Sequence, residues 1–156
     1  MFSQGFEKTR ILEIATGRIT DLPPSPKPVF SPRWSRDGRY IVALPRPDDL
    51  ALFDLQTNRW SILHLKRGRF FCNWPAWSHD GRFIYFLSID RADFKTEQPG
   101  VYRILVTGGE PEKVVDLKGF VSTGYNGHWA GLDPDDNPLL LRYAGMREIF
   151  ALTLGR

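Results

Sequence analysis

The side chains that could carry chemistry are few and stand apart in the sequence. The three histidines, His64, His79 and His128, show no spacing typical of metal ligands. No Gly-x-Ser-x-Gly motif of a serine hydrolase is present. The single cysteine, Cys72, excludes an intrachain disulfide, and its aromatic neighbours favour a packed thiol over a reactive one. The sequence therefore predicts no enzyme active site, no metal and no cofactor.

The acidic run DPDDN at 133–137 carries carboxylates in the manner of a calcium loop. It lacks the glycine and the distal glutamate of an EF-hand. It also falls where two other parts of the chain carry an Asp-Gly turn. We therefore interpret it as a hairpin turn.

Composition and charge indicate a soluble, globular and turn-rich protein. The 156 residues include 14 glycines and 12 prolines, and no apolar run approaches the roughly 18 residues of a membrane-spanning helix. The net charge of +3 is small, and the densest basic run, 66–69, has the composition of a surface turn. No signal-peptide pattern is visible in residues 1–15. We expect a cytoplasmic protein that binds neither membranes nor nucleic acid.

An internal repeat is the most informative feature of the chain. The segment PRWSRDGRYI at 32–41 recurs as PAWSHDGRFI at 75–84, so that Trp34 and Trp77 are 43 residues apart. A degenerate third copy covers 130–137. A second pattern, an apolar strand that ends in a Thr, Gly or Asn turn, occurs at 11–17, 52–58 and 102–109.

Each repeat unit carries strand and turn signals. Asp-Gly followed by a short run of β-branched and aromatic residues is a strong hairpin signal. Four antiparallel strands in about 43 residues have the period and content of a propeller blade. We therefore predict one all-β domain over 1–156, a partial β-propeller of about three four-stranded blades. Its predicted units are a blade part at 9–22, blades at 28–65 and 71–117, and a last blade at 127–154.

The predicted units hold two, four, four and three strands, so that two blades are complete and one is split between the termini. Propellers have about 4 to 8 blades, and one copy does not close such a ring. Either the chain belongs to a larger propeller or two copies assemble and share the seam. In the second case the strand at 18–22 would pair with the partner's edge at 149–154.

The repeat resembles the TolB-type subgroup of WD-like propeller repeats. The resemblance rests on Pro-x-Trp-Ser-x-Asp-Gly-Arg followed by an aromatic residue and Ile, and on the later apolar-Asp-Leu-x-Thr turn. It covers the chain from about Arg10, and residues 127–142 and 148–152 resemble the last blade of propellers in bacterial regulators. Such repeats also occur in TolB and in the propellers of tricorn and prolyl-oligopeptidase-like peptidases. The resemblance implies the fold and no catalytic residue, because these propellers serve many roles.

Two sets of residues in the repeat bear on function. We expect Trp34 and Trp77 to lie in the core between blades, because stacked sheets need large aromatic side chains in register. The residues at the start of the first strand of each blade would lie at one mouth of the central channel. There they would either bind a ligand or only line a water-filled channel. These candidate ligand-binding residues are Phe30, Arg33, Asn73, Trp74, Tyr125, Asn126 and His128.

The leading functional hypothesis is a non-enzymatic interaction or sensory module that binds a protein or peptide. The alternative is an accessory propeller that gates substrate to a prolyl-oligopeptidase or tricorn-like peptidase. A third reading is a hydrolase or lyase with its site in the channel. We also expect a homo-oligomer or a fragment of a larger propeller.

Overall fold

The chain folds as a series of antiparallel β-sheets. The computed structural model describes residues 2–4, 8–45, 49–65, 72–88, 99–120 and 129–142. Within these ranges no helix is long and apolar enough to cross a membrane. The described residues form thirteen strands: β1 Phe2–Gln4, β2 Lys8–Leu12, β3 Ile19–Asp21, β4 Phe30–Trp34, β5 Tyr40–Leu44, β6 Asp49–Asp54, β7 Arg59–His64, β8 Cys72–Trp77, β9 Phe83–Ser88, β10 Gly100–Leu105, β11 Glu112–Asp116, β12 Trp129–Leu132 and β13 Pro138–Leu140.

Two of the sheets are complete four-stranded meanders. One has the order β4-β5-β6-β7 and the other has the order β8-β9-β10-β11, and every neighbouring pair is antiparallel. We call them blade 1 and blade 2. Their strand order confirms the prediction of an all-β fold built from propeller blades.

Two partial sheets flank the blades in sequence. The N-terminal sheet has the order β1-β2-β3, and the C-terminal sheet consists of β12 and β13. The sequence predicted β2 and β3 but not β1, whose Phe2 pairs with Arg10 and whose Gln4 pairs with Lys8. The run at 2–4 is only three residues long and belongs to neither repeat pattern, and that is why β1 was missed. The predicted last strand at 149–154 lies outside the described residues.

The hairpin between the first two strands of each blade is held by a serine and an aspartate. In blade 1 the buried Ser35 hydroxyl donates to Asp37 Oδ1 over 2.6 Å and accepts the Tyr40 N–H over 2.7 Å. The same carboxylate oxygen accepts the Arg39 N–H over 3.0 Å. Gly38 sits at a φ of 75°, in the left-handed region that favours glycine. The Ser-x-Asp-Gly pattern is therefore a self-contained turn.

Blade 2 repeats this turn atom for atom. Ser78 Oγ donates to Asp80 Oδ1 over 2.7 Å and accepts the Phe83 N–H over 2.9 Å, and Asp80 Oδ1 accepts the Arg82 N–H over 2.9 Å. In the C-terminal sheet Asp133 takes the place of the serine. Its Oδ1 accepts the N–H groups of Asp135 and Asn137, and its Oδ2 accepts the Asn137 side-chain amide over 3.0 Å. The acidic run is thus a hairpin turn.

Blade 2 is buried on both faces. Ile84 and Phe86 point into a core shared with blade 1, whereas Tyr85 and Leu87 point into a second core that reaches Trp129 of the C-terminal sheet. Burial of one such large side chain stabilises the fold by roughly 1.5–3 kcal/mol. The core between the blades contains Val42, Leu44, Leu50, Leu52, Leu65, Cys72, Ile84, Phe86, Tyr102 and Ile104.

The hairpin carboxylates make the stability of the fold depend on pH. The Ser35 hydroxyl and the Arg39 N–H lower the pKa of Asp37, and the Arg82 N–H and the Ser78 hydroxyl lower the pKa of Asp80. A carboxylate whose pKa is lower in the folded state stabilises the fold above its unfolded pKa, near 4, and this contribution is lost as the pH falls through the folded value.

We therefore expect the urea midpoint of unfolding to fall as the pH is lowered below about 4. In the double variant Asp37→Asn, Asp80→Asn, the amide oxygens still accept the turn hydrogen bonds but do not titrate. The midpoint of this variant should depend less steeply on pH, as measured by urea titrations followed by circular dichroism. Equal slopes in the two proteins would contradict this account.

Candidate functional site

A cleft of about 710 Å³ opens at the hairpin ends of three first strands, β4, β8 and β12. Four tryptophans line it, Trp34, Trp74, Trp77 and Trp129. Its volume falls within the range of about 300–1,000 Å³ that small-molecule and cofactor pockets occupy. The remaining lining residues are Arg33, Arg36, Pro75, Ala76, Ser78, His79, Gly131, Leu132, Asp133, Pro134 and Asp136.

Trp77 joins blade 2 to blade 1 at the edge of the cleft. Its indole Nε1 donates to the carbonyl oxygen of Arg33 over 3.0 Å. Its ring stacks on Tyr40 with 6.2 Å between centroids and 22° between planes. The predicted place of Trp77 between blades agrees with these contacts.

Trp34 occupies the equivalent position in blade 1 but makes different contacts. Its Nε1 donates to Gly38 O over 2.9 Å, within its own hairpin, and the residue is 40% exposed. The prediction that Trp34 lies in the core between blades is therefore wrong. In the described part of the chain, the N-terminal sheet has no first strand that would offer Trp34 a carbonyl of the kind that Arg33 offers Trp77.

Backbone bulges shape the first strands. The register of β4 shifts between Phe30 and Arg33, and that of β8 shifts between Asn73 and Ala76. At the centre of these bulges Ser31 has a φ of 50° and Trp74 a φ of 46°. Such left-handed conformations cost a non-glycine residue roughly 1–2 kcal/mol. Each bulge thus lowers the stability of the fold, and it turns the strand at the wall of the cleft.

The bulges have a signal in the sequence, which is a proline at the same place in both repeats. Pro32 and Pro75 directly follow the left-handed residues, and proline has no N–H to donate to a sheet ladder. A proline inside a strand at the same place in two repeats predicts a bulge there. The C-terminal sheet also shifts register, between Trp129 and Gly131, although it has no proline at that place.

Polar contacts link the three hairpins across the cleft. Nη1 of Arg36 contacts the His79 ring, with 3.1 Å to Nε2. The backbone N–H of His79 donates to Asp136 Oδ1 over 2.7 Å. Arg36 and His79 are equivalent turn positions, 43 residues apart, which the sequence indicated only as exposed and variable. Their contact follows from the stacking of adjacent blades.

The charges of the cleft lie on opposite walls. Arg33 and Arg36 stand on the blade 1 side, and Asp133 and Asp136 stand on the C-terminal sheet. Arg33 Nη1 donates to the carbonyl of Pro32 over 3.0 Å, and the side chain is exposed. The side chain and N–H of Asn137 lower the pKa of Asp133 and keep that wall anionic. Trp34 belongs to the blade 1 wall, Trp129 belongs to the C-terminal sheet, and Trp74 and Trp77 lie on β8 between them.

The sequence-predicted site residues are only partly brought together. Arg33 and Trp74 line the cleft. Phe30 packs against the core between the blades, and Asn73 pairs with Leu87 in the β8–β9 ladder. The other three predicted residues, Tyr125, Asn126 and His128, lie outside the described residues.

A second polar cluster lies at the opposite end of blade 1. Asp49, only 8% exposed, contacts Lys27 Nζ at 2.9 Å and His64 Nδ1 at 3.4 Å. Among the residues with described positions, no group of three or more His, Cys, Asp or Glu side chains is placed to hold a metal ion. The cluster ties the linker before β4 to the start of β6.

Comparisons with known proteins bear on the fold. The chain is similar to the tricorn protease, with 17% sequence identity and a TM-score of 0.51 over 78% of this chain and 11% of that chain. It is also similar to TolB from Acinetobacter baumannii, with 17% identity and a TM-score of 0.44 over 83% of this chain and 41% of that chain. Both are β-propeller proteins, and this chain spans less than half of either. No protein-family model and no curated protein matches the sequence.

The strand order and the likeness to the tricorn protease together show the fold. The chain is a segment of β-propeller blades.

The indole of Trp77 should contribute measurably to stability. In Trp77→Phe the aromatic ring remains on Tyr40, but the hydrogen bond to Arg33 O is lost, which should lower the free energy of unfolding by about 1 kcal/mol. The matched control is Trp34→Phe, whose hydrogen bond lies within one exposed hairpin and should cost less than about 0.5 kcal/mol. Urea denaturation measures both, and equal losses would contradict an inter-blade role.

Proposed function

We propose that this protein is a non-enzymatic β-propeller module that binds a segment of another protein or a peptide. The observation that carries the proposal is the cleft along the three first strands, which is lined by four tryptophans and has walls of opposite charge. Tryptophan and arginine are the residue types enriched at the energetic centres of protein interfaces. The cleft offers both on an ordered sheet scaffold.

The arrangement suggests how a peptide would be held. The indole rings provide flat apolar surfaces for side chains. The exposed Arg33 guanidinium provides donors for a backbone carbonyl or carboxylate. Asp136 already accepts the His79 N–H, so its wall is fixed before a ligand arrives. Binding to such a preformed site costs little ordering entropy.

A peptidase-associated role uses the same cleft. An accessory propeller that gates substrate would also bind peptides, so the cleft does not separate the two roles. A Ser/Asp/His hydrolase domain in the same reading frame would favour gating, and a winged-helix or kinase segment upstream would favour a sensory module.

We also propose that the blades of this chain pack against further blades, in a homo-oligomer or in a larger propeller. Leu139 and Leu141 of the C-terminal sheet are 45% and 49% exposed. The hairpin alignment makes them equivalent to Val42 and Leu44, which are buried between blade 1 and blade 2. The apolar face that receives a neighbour in blade 1 is thus uncovered in the C-terminal sheet.

The binding function predicts a specific loss of affinity. Peptides selected from a random display library on the purified chain should bind the double variant Arg33→Ala, Arg36→Ala at least tenfold more weakly, because both guanidinium groups leave the cleft wall. Isothermal titration calorimetry measures the change. The matched control is Arg59→Ala, an exposed arginine on β7 away from the cleft, which should leave affinity unchanged. Selected peptides that bind all three proteins equally would contradict the proposal.

A further inference from the structure

The hairpin of the C-terminal sheet carries an aspartate where the hairpins of the two blades carry a glycine. In each blade the glycine N–H donates to the carbonyl of the serine three residues before it, and the Asp136 N–H donates in the same way to Asp133 O. Gly38, Gly81 and Asp136 have φ angles of 75°, 70° and 63°. Glycine adopts this conformation more readily than aspartate does. The third turn therefore keeps the backbone shape of the other two and adds a carboxylate.

The added carboxylate is held at the wall of the cleft. Asp136 is half-buried, and its Oδ1 accepts the backbone N–H of His79 over 2.7 Å. A carboxylate has about four acceptor sites, so this bond orients the group without using its capacity. Asp133 lines the same wall as an anion, because the side chain and N–H of Asn137 lower its pKa. Trp129 lies on this side as well. Carboxylates beside an indole ring attract a lysine or arginine side chain.

The opposite wall suits an acidic side chain. At the turns, Arg36 contacts the His79 ring and Asp136 accepts the His79 N–H, so that both walls meet at one residue. Arg33 lies within β4 instead of in the turn, and its side chain is exposed. Its Nη1 donates to Pro32 O, and a guanidinium has five N–H donors in a planar fork that fits a carboxylate. The two tryptophans of β8 lie between this arginine and the acidic wall.

We propose that the cleft selects a peptide segment with one basic and one acidic side chain, the basic one bound by Asp136 and Asp133 and the acidic one bound by Arg33. This inference rests on the proposed function and adds the charge pattern of its ligand. The segment crosses the first strands with its basic side chain toward β12 and its acidic side chain toward β4. Complementary charges give specificity, and like charges exclude the wrong partners. A segment with two basic or two acidic side chains places one of them against a wall of its own sign.

Selection from a random peptide display library tests the charge pattern. The library is selected on the purified chain, on Asp136→Asn and on the matched control Asp135→Asn. Asparagine tolerates a left-handed φ and still accepts the His79 N–H, so that Asp136→Asn removes only the charge. The control removes the same charge from an exposed neighbour that does not line the cleft in the described part of the chain. We expect peptides with a Lys or Arg and an Asp or Glu from the unchanged chain and the control. The basic residue should lose its enrichment on Asp136→Asn.

Calorimetry on one selected peptide tests which wall reads which charge. Replacement of the basic residue of the peptide by glutamine should weaken binding to the unchanged chain about fivefold, because a charged hydrogen bond is lost. The same replacement should have less than half of this effect on the logarithm of the affinity for Asp136→Asn, as in a double-mutant cycle. Replacement of the acidic residue should be coupled to Arg33→Gln in the same way.

The outcomes separate this inference from the proposed function. Selected peptides that lack the charge pattern, or that keep their affinity for the unchanged chain when either charge is removed, would overturn the inference and leave a peptide-binding cleft. If no peptide is selected on the unchanged chain, both are overturned. The changes in the peptide are measured on the unchanged chain, so the test holds even if a variant fails to fold. Urea midpoints of the variants show whether they fold.

Discussion

A sheet that is apolar on both faces needs a neighbour on each side, and the structure depends on this constraint. In β9 the side chains alternate between two cores, with Ile84 and Phe86 in one and Tyr85 and Leu87 in the other. If water reached either face, several large side chains would lose their burial, which stabilises the fold by roughly 1.5–3 kcal/mol for each of them. The hydrogen bonds of a blade set its strand order, but stacking decides whether the blade is stable.

The cleft is a by-product of the same stacking. Each Ser-x-Asp-Gly turn closes on itself through hydrogen bonds of its own serine and aspartate, and so it holds its shape without help from its neighbours. Stacking then places successive turns side by side, and side chains at equivalent positions meet, as Arg36 and His79 do. Substitution of turn residues therefore changes the side chains of such a site. The buried residues of the strands beneath it need not change.

The fold was largely predictable from the sequence because the repeat reports it twice. The hairpins could be predicted from the motif Pro-x-Trp-Ser-x-Asp-Gly, and the buried strands could be predicted from the apolar runs that follow it. Features that depend on what lies beside a blade were not predictable. Trp34 and Trp77 have the same sequence context, yet one is exposed and one is bonded to another sheet, because their neighbours differ. Of the predicted site, Arg33 and Trp74 line the cleft, whereas Phe30 faces the core. Pro32 and Pro75 predict the backbone bulges in β4 and β8. They do not predict which side chains the bulges turn toward the cleft and which toward the core.

Burial on both faces also orders the chain by local stability. When each unit contacts only the next one, the free energy of opening a unit is approximately its own stability plus the two interfaces it shares. Blade 2 has an apolar core on each side, whereas the C-terminal sheet leaves Leu139 and Leu141 uncovered. Opening should therefore begin at the uncovered end and move inward, so that the middle of the array opens last. The C-terminal sheet is then less protected than blade 2, and a neighbour that packs on Leu139 and Leu141 would stabilise it.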